Sequence, residues 1–300
     1  MKNKFIDLHT HTKVSDGVLM PEALIELAKK AGIGVLAITE HNCLLPDFEK
    51  YAKLAAPEIK LLKGVEVSCT HYLKKSDKLV TLHVVLIIPD TKMNLSKLEA
   101  LLERNGLKVQ RQYVEDMNQA LVPWGWTPIS YDELAEEFKT FYIGRPQLAQ
   151  AMVSRGFVSS VEKALDVYLG EFGEKKAYVK KPNGIRLSEL LEVAKEIHAI
   201  PILAHFEYYQ LVGEERGEML TDMREMGGPL AAMETDYGKY DAEQRKELKR
   251  LAREYDLLES AGSDFHGMYE DDSLENEFTD EIYVKMMKAW NELYKMLSDV

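Results

Sequence analysis

The sequence contains little cysteine, with only Cys43 and Cys69 among 300 residues and no pair at C-x-x-C spacing. This excludes a disulfide framework and a cysteine-based zinc or redox motif. It also contains no apolar run of the roughly 18 residues that a membrane-spanning helix needs. The start, residues 1–4, leads into a strand pattern without the apolar core of a secretory signal. We therefore expect a cytoplasmic protein.

Positive charge is also scarce, because 38 lysines and arginines face 50 aspartates and glutamates, a formal net charge of −12. Such a chain repels a polyanion unless a local basic patch overrides the net field. Small or short substrates are therefore favoured over long duplexes. Acidic side chains that bind metal would be partly neutralised, so the net charge is a weak guide to the field at a metal site.

The chain begins and ends with short β-rich runs that alternate with helical periods. Strand-like runs occupy residues 5–9, 35–39, 60–68, 80–88, 200–204, 230–234 and 257–262. Helical spacing covers residues 21–31, which Gly32 closes, and returns at 214–226 and 241–255. This alternation predicts an α/β fold with parallel strands and covering helices, either as a barrel or as a doubly wound sheet.

The middle of the chain has helical periodicity almost throughout. The segments that show it are residues 95–122, 131–138, 145–155 and 161–169. Pro, Gly and aromatic residues interrupt this region at 123–126, and residues 180–184 form its exit. We interpret residues 95–186 as a helical cap inserted between strands, and residues 1–94 and 187–300 as the main domain.

Most histidines lie in strands or at strand ends. Six of the eight are placed so: His9, His11, His41, His83, His205 and His266. His9 and His11 are two residues apart on a strand, so both side chains leave the same face. Strand ends of α/β folds collect side chains from distant parts of the sequence at one edge.

Three carboxylates accompany these histidines, namely Asp16, Glu66 and Asp264. Imidazole suits Zn, Mn and Fe, and a carboxylate can bridge two ions. Nine such side chains exceed what one tetrahedral ion uses, so the pattern predicts a centre with more than one ion. A centre of this kind activates water near neutral pH and clamps phosphate oxygens.

At these residues the chain resembles the polymerase and histidinol phosphatase (PHP) superfamily, in particular its small phosphoesterases that act on nucleotides or on RNA 5′ ends. The matching stretches occur in the order that this branch has them: Asp7-Leu-His-Thr-His11, Ser15-Asp-Gly17, Ala37-Ile-Thr-Glu-His41, Gly64-Val-Glu66, Leu82-His83, Gly144-Arg-Pro146, Leu203-Ala-His205 and Gly262-Ser-Asp-Phe-His-Gly267. The resemblance implies a distorted (β/α)7 barrel with two or three divalent ions (Mn, Zn or Fe).

The resemblance also implies a role for each site residue. One ion would be held by His9, His11, Glu66 and Asp264. Glu66 would bridge to a second ion bound by His83 and His205, and a third would be held by Asp16, His41 and His266. We expect Glu66, His41, His266 and Asp264 to be central to catalysis. Arg145, in the cap, would bind the substrate phosphate.

The sequence departs from that branch at three positions. Glu40 stands where Asp is usual, Gln147 where His is usual, and Phe206 where Pro is usual. The change at Gln147 removes an expected phosphate contact, which affects the substrate more than the chemistry. All nine expected metal ligands are retained.

Three functional hypotheses follow. The leading one is hydrolysis of a small phosphomonoester, nucleotide-like, by a metal-bound hydroxide. The second is a 5′-to-3′ exonuclease on short RNA or DNA, which would use the same ions on a diester. The third is a metal-binding regulatory module without turnover, motivated by Gln147 and Phe206. The pattern indicates no membrane partner and no particular protein partner.

Several other polar or aromatic residues are interpreted as structural. We expect His71 and His198 to make ordinary hydrogen bonds, Cys43 to be a small buried thiol, and Trp124 and Trp126 to pack in the core of the cap. The lysine pairs at 74–75, 175–176 and 180–181 are expected to be solvated surface.

Overall fold

The computed structural model describes residues 5–170, 173–180, 183–268, 272–274 and 277–298. Its centre is one sheet in which each strand pairs with the next along the chain. The strands are β1 (Phe5–Asp7), β2 (Ile33–Ile38), β3 (Lys60–Leu73), β4 (Lys78–Ile88), β5 (Ile200–Leu203), β6 (Ala232–Tyr237) and β7 (Leu258–Gly262). These bounds confirm the strands expected from the sequence, with shifts of a few residues at their ends.

Backbone hydrogen bonds between the chain at β1 and the chain at β7 close the sheet into a barrel. The Leu8 N–H donates to the Ala261 carbonyl at 3.1 Å, and the Asp264 N–H donates to the His9 carbonyl at 2.8 Å. Farther along, Thr10 bridges to Phe265 in parallel fashion. The expected seven-stranded α/β barrel is therefore confirmed, and its closure brings the segments after β1 and β7 side by side.

One strand runs against the others. β4 is antiparallel to both β3 and β5, whereas the remaining pairs are parallel. The expectation of parallel strands throughout is wrong here, because residues 74–77 between β3 and β4 are too few for a crossover and form a hairpin turn. The hairpin pairs Ser68 with His83, so His83 enters the site from within a strand.

Helices cover the barrel and fill the interval between β4 and β5. In chain order they are α1 (Pro21–Lys30), α2 (Phe48–Ala55), α3 (Ser96–Leu102), α4 (Leu107–Leu121), α5 (Tyr131–Phe138), α6 (Arg145–Ser154), α7 (Val161–Ala164), α8 (Leu187–Glu196), α9 (Glu214–Gly227), α10 (Ala242–Glu254) and α11 (Glu281–Ser298). The sequence analysis did not identify α2, α8 and α11. None of the helices in the described ranges is long and apolar enough to cross a membrane.

The helices between β4 and β5 have an apolar cluster of their own. Its buried members lie between Tyr113 and Ala177, and none comes from the barrel strands. The helix expected at 95–122 is two helices, because the chain is extended at Gly106 and α4 starts anew there. The helix expected at 161–169 begins as α7 and continues as a wider π-type turn over Leu165–Leu169.

Candidate metal centre

The nine side chains expected to bind metal meet at the edge of the barrel where the parallel strands end. His9 and His11 follow β1, and His41 and His205 follow β2 and β5 in the same way. The other five come from the loop after His11, from inside β3 and β4, and from the segment after β7: Asp16, Glu66, His83, Asp264 and His266. Sequence positions 257 residues apart thus share one site.

Glu66 lies at the middle of this group and is fully buried. Its Oε2 atom is 3.3 Å from His9 Nε2, 3.2 Å from His11 Nε2 and 2.9 Å from His41 Nδ1. Its Oε1 atom is 2.8 Å from His83 Nδ1 and 3.0 Å from His205 Nε2. The two oxygens therefore face two different sets of histidines, which is the arrangement of a bridging carboxylate.

Two aspartates complete the outer parts of the group. Asp264 Oδ1 lies 3.4 Å from His9 Nε2 and 3.2 Å from His11 Nε2. Asp16 Oδ1 lies 3.2 Å from His266 Nε2, and its Oδ2 lies 3.4 Å from His41 Nε2. Each aspartate thus faces a pair of imidazole nitrogens, as a ligand shared with those histidines would.

Within the described residues, the side chains form three overlapping groups that could hold an ion. The first group is His9, His11, Glu66 and Asp264, the second is His41, Glu66 and His83, and the third is His11, Asp16, His41 and His266. The first equals the set that the family resemblance implies. The second contains His41 where the resemblance implies His205, although His205 Nε2 does lie at the same Glu66 oxygen as His83 Nδ1. The third contains His11 in addition to the implied residues.

The chemistry of these atoms fits divalent cations. His9 Nε2, His11 Nε2, His41 Nδ1 and His83 Nδ1 are buried without a hydrogen-bond partner, and so is Glu66 Oε2. The nitrogens of His9, His11 and His41 lie 2.9 to 3.3 Å from Glu66 Oε2, and His83 Nδ1 lies 2.8 Å from Glu66 Oε1. Buried polar atoms are rarely left unpaired, so nitrogen and oxygen lone pairs that converge in this way indicate ligands for metal.

Electrostatics in the centre are dominated by its opposite charges. Burial alone would raise the pKa of Glu66, but His41, His83 and His9 hold it well below its usual value. Burial likewise disfavours protonation of His11, yet close contacts with the carboxylates of Asp264 and Glu66, together with the charge of Asp16, raise its pKa to about 10. Cations would therefore compete with protons for these nitrogens.

Glu40 supports the loop that carries Asp16. Its carboxylate is fully buried and accepts hydrogen bonds from the N–H groups of Thr12 at 3.2 Å and Ser15 at 3.1 Å. The hydroxyl groups of the same two residues also donate to it. Glu40, where Asp is usual in the related proteins, thus stabilises the loop through hydrogen bonds and is not one of the side chains that face the metal centre.

The sequence analysis missed two residues that touch the predicted ligands. Glu234, in β6, contacts both His9 and the backbone of His205. The Tyr237 hydroxyl, in the same strand, donates to Asp264 Oδ2 at 2.9 Å. The available signal was a run of polar residues, Met233-Glu-Thr-Asp-Tyr237, in a strand where every residue is buried.

A cavity of about 210 Å³ opens from the centre towards the helices that follow β4. Asp16, His41 and His83 line it from the metal centre, and Tyr113, Tyr142, Arg145, Tyr178 and Lys180, from the segment between β4 and β5, line it as well. The Tyr142 ring stacks on the His41 ring, with centroids 5.1 Å apart and planes 15° from parallel. The cavity therefore joins the metal-facing atoms to two cationic side chains.

Asn105 fastens the segment between β4 and β5 to the barrel beside this cavity. Its Nδ2 donates to Asn42 Oδ1 at 3.0 Å and to the Ser68 carbonyl at 2.9 Å. Its Oδ1 accepts from the Gly184 N–H at 2.9 Å. A single buried amide thus holds both the entry and the exit of the segment against the strands.

The two remaining departures have structural explanations. Gln147 Oε1 accepts from the Gly144 N–H at 2.8 Å, so this buried side chain caps the start of α6 and does not line the cavity described above. Phe206 is buried directly after His205, and the Arg216 guanidinium lies 4.8 Å from its ring centroid.

The side chains interpreted as structural lie away from the centre, with two differences. His71 contacts Asp222 at 2.7 Å, and the His198 ring stacks on Tyr294. Trp126 is buried and donates to Asn118 Oδ1 at 2.7 Å, but Trp124 is exposed with Lys175 near its ring, so its expected core position is wrong. Cys43 is half-buried, not fully buried, and Lys181 lies outside the described residues.

Sequence comparisons agree with this geometry. Residues 7–180 match the PHP domain family model, so the chain belongs to the PHP domain family. It is 32% identical to a 5′-3′ exoribonuclease of Haemophilus influenzae over 88% of this chain and 90% of that protein. It is also 25% identical to a 3′,5′-nucleoside bisphosphate phosphatase of Chromobacterium violaceum over 87% of each chain. The chain is therefore a metal-dependent phosphoesterase.

Solved structures share the fold. An amidohydrolase structure from Chromobacterium violaceum superimposes with a TM-score of 0.76 at 23% identity, covering 95% of this chain and 96% of that one. A candidate metal-dependent phosphoesterase from Bifidobacterium adolescentis gives 0.74 at the same identity and coverage. At this identity the likeness concerns the fold alone.

Proposed function

We propose that the nine residues hold two or three divalent ions, Mn, Zn or Fe, with Glu66 as the bridge between two of them. When bound, such ions activate water and neutralise the charge that develops on the phosphoryl oxygens. The support is the position of Glu66, whose two oxygens face separate sets of histidines at 2.8 to 3.3 Å. The negative charge of Glu66 would offset the repulsion between two cations that lie so close to each other.

We propose that the substrate carries a phosphate beside the scissile phosphoester, as the 5′-terminal nucleotide of RNA and a nucleoside 3′,5′-bisphosphate both do. One relative is named for a nucleoside 3′,5′-bisphosphate, and the other is named for degrading RNA from its 5′ end, which carries such a phosphate when the RNA is 5′-phosphorylated. Arg145 and Lys180, which line the same cavity as Asp16, His41 and His83, would bind that phosphate. A guanidinium can engage it through two parallel hydrogen bonds.

In this proposal residues 95–186 act as a cap that limits what enters. Tyr142 and Arg145 come from this segment and line the same cavity as Asp16 and His41, which come from the barrel. A substrate in that cavity is enclosed by both parts and shielded from bulk water. The arrangement suits a terminal nucleotide better than the interior of a strand, so we favour cleavage from the 5′ end or of a single nucleotide.

The test compares three substrates with protein reconstituted in turn with Mn²⁺, Zn²⁺ and Fe²⁺. A nucleoside 3′,5′-bisphosphate should release inorganic phosphate, and a 5′-phosphorylated RNA decanucleotide should lose one nucleotide at a time. The same decanucleotide with a 5′-hydroxyl is the matched control and should react at least tenfold more slowly. Internal cleavage, or no hydrolysis by protein with full metal content, would contradict the proposal.

A salt series separates the monoesterase from the nuclease. Few phosphates are engaged when a single nucleotide binds, so kcat/KM for the bisphosphate should fall only gently with salt. An enzyme that follows several phosphates of a strand shows a much steeper slope. A decanucleotide preferred by more than tenfold, with affinity that collapses as salt rises, would assign the nuclease as the main activity.

A further inference from the structure

Glu234 is a buried carboxylate outside the nine proposed ligands that contacts two of them. It lies in β6 with 1% of its surface exposed. Its Oε1 atom is 2.8 Å from His9 Nδ1, and its Oε2 atom accepts a hydrogen bond from the His205 backbone N–H at 2.6 Å. His9 and His205 face different oxygens of Glu66, so one side chain links both halves of the centre.

The first contact determines which nitrogen of His9 is free to bind metal. His9 Nε2 is the atom that faces Glu66 and Asp264, at 3.3 and 3.4 Å. A neutral imidazole has one N–H and one lone pair. An acceptor at Nδ1 places the N–H there and leaves the lone pair on Nε2, pointing at the centre.

The second contact holds a strained turn. The backbone of His205 has φ 31° and ψ 54°, a left-handed conformation that residues with side chains rarely adopt. The hydrogen bond to Glu234 gives its buried N–H a partner in this conformation. With the backbone so held, His205 Nε2 lies 3.0 Å from Glu66 Oε1.

We propose that Glu234 is a positioning residue that orients His9 and His205 together, so that loss of its second acceptor weakens metal binding on both sides of Glu66. Both partners require an acceptor: the His205 N–H can only donate, and His9 Nδ1 must donate if Nε2 is to bind metal. A carboxylate supplies two acceptors, whereas an amide supplies one acceptor and one donor.

The backbone at Gly262 packs closely against both His9 and Glu234. A Cβ atom at Gly262 would lie 2.4 Å from His9 Cβ and 2.9 Å from Glu234 Oε1. A larger residue at position 262 would therefore push the two side chains out of their places.

Glu234→Gln is the test, because it keeps shape and size but replaces one acceptor by an NH2 donor and removes the charge. In zinc-loaded protein we expect metal affinity to fall ten- to a hundredfold, the range seen for partners of metal-binding histidines. The ¹⁵N imidazole shifts of His9 should show its proton moved from Nδ1 to Nε2, or else the His205 amide resonance should report a lost hydrogen bond. Glu259→Gln, on the neighbouring strand and paired with Arg253, is the matched control and should change neither.

Glu234→Asp keeps two acceptors with a shorter reach, and it should recover part of the affinity that Glu234→Gln loses. If Glu234→Gln does not fold, the ¹⁵N imidazole shifts of His9 in the zinc-loaded wild-type protein decide, and a proton on Nε2 instead of Nδ1 overturns the proposal. Wild-type affinity with unchanged His9 shifts in Glu234→Gln overturns it equally. The inference rests on the proposed metal centre, and a wild-type chain that binds no metal would refute that centre separately.

Discussion

At the scale of single residues, Glu66 presents a physical problem that metal would solve. A fully buried carboxylate is costly unless charges surround it, and here five histidine nitrogens do so while several of them lack hydrogen bonds. Removing the charge but keeping the shape isolates its role.

Glu66→Gln should therefore lose at least one equivalent of metal per chain and reduce kcat at least about a hundredfold, the scale of removing one stabilising group from an active site. Elemental analysis and steady-state kinetics measure the two effects. Glu259→Gln provides a charge-matched control outside the centre. Near-normal turnover of Glu66→Gln with full metal content would show that Glu66 is not the bridge.

Gly262 offers a second test at this scale, since an added side chain would meet the proposed ligand His9 at its Cβ and backbone nitrogen. An added Cβ would lie 2.4 Å from His9 Cβ, closer than real contacts allow, so His9 or the end of β7 must move. We expect Gly262→Ala to lower the melting temperature and to weaken metal binding together. Gly156→Ala, where nothing lies within 4 Å but φ is +69°, should lower the melting temperature through backbone strain alone and leave metal affinity unchanged. Unchanged metal affinity in Gly262→Ala would show that the packing tolerates the shift.

At the scale of elements, α6 presents Arg145 to the cavity from its first turn. Gly144 precedes the helix, Pro146 fixes its start, and Gln147 caps it, so the position of Arg145 is set by local sequence. Its guanidinium also lies 5.5 Å from the Tyr178 ring, which keeps it beside the cavity.

Arg145→Ala should lower kcat/KM for the bisphosphate by about 2 kcal/mol, roughly thirtyfold, the scale for losing a charge-assisted hydrogen bond. Arg145→Lys should recover only part of this, because an ammonium lacks the planar pair of donors. Metal content should stay the same in both variants. Equal kcat/KM for Arg145→Ala and the wild type would remove Arg145 from phosphate binding.

How much the sequence predicts depends on whether the signal is local. Strand periodicity and strand-end histidines are local, so the α/β fold and a shared metal site follow from them, whereas the barrel and the assignment of ligands to each ion were implied by the family resemblance. The reversal of β4 depends on how short the connection between β3 and β4 is. Sequence periodicity ends the third strand at residue 68 and starts the fourth at residue 80, so the predicted connection is too long to indicate a hairpin. Glu234 acts through contacts 29 and 225 residues away, which no local pattern encodes.

At the scale of the whole molecule, the concentration of charge in one site links metal, protons and stability. In the metal-free protein the pKa of His11 is raised to about 10 by Asp264 and Glu66. A raised histidine pKa adds stability that is fully present below about pH 6.5, its unfolded value, and is lost as pH rises towards 10. Metal binds the deprotonated imidazole, so the stability that bound metal adds increases as pH rises.

Metal binding should therefore release protons, and affinity should rise with pH between 6 and 8. Titration calorimetry in two buffers of different ionisation enthalpy measures the number released. The chelated protein should also become less stable towards alkaline pH, relative to the metal-loaded protein. Binding without proton release at pH 7 would contradict the charge state assigned to these histidines.

The most direct measurement of the central claim is metal stoichiometry after chelation and reconstitution, determined by elemental analysis on wild-type protein and on Glu66→Gln in parallel. A centre built from these nine residues predicts two or three equivalents per chain in the wild type and a loss of at least one in the variant. Fewer than one equivalent of any divalent transition metal in the reconstituted wild type would contradict it.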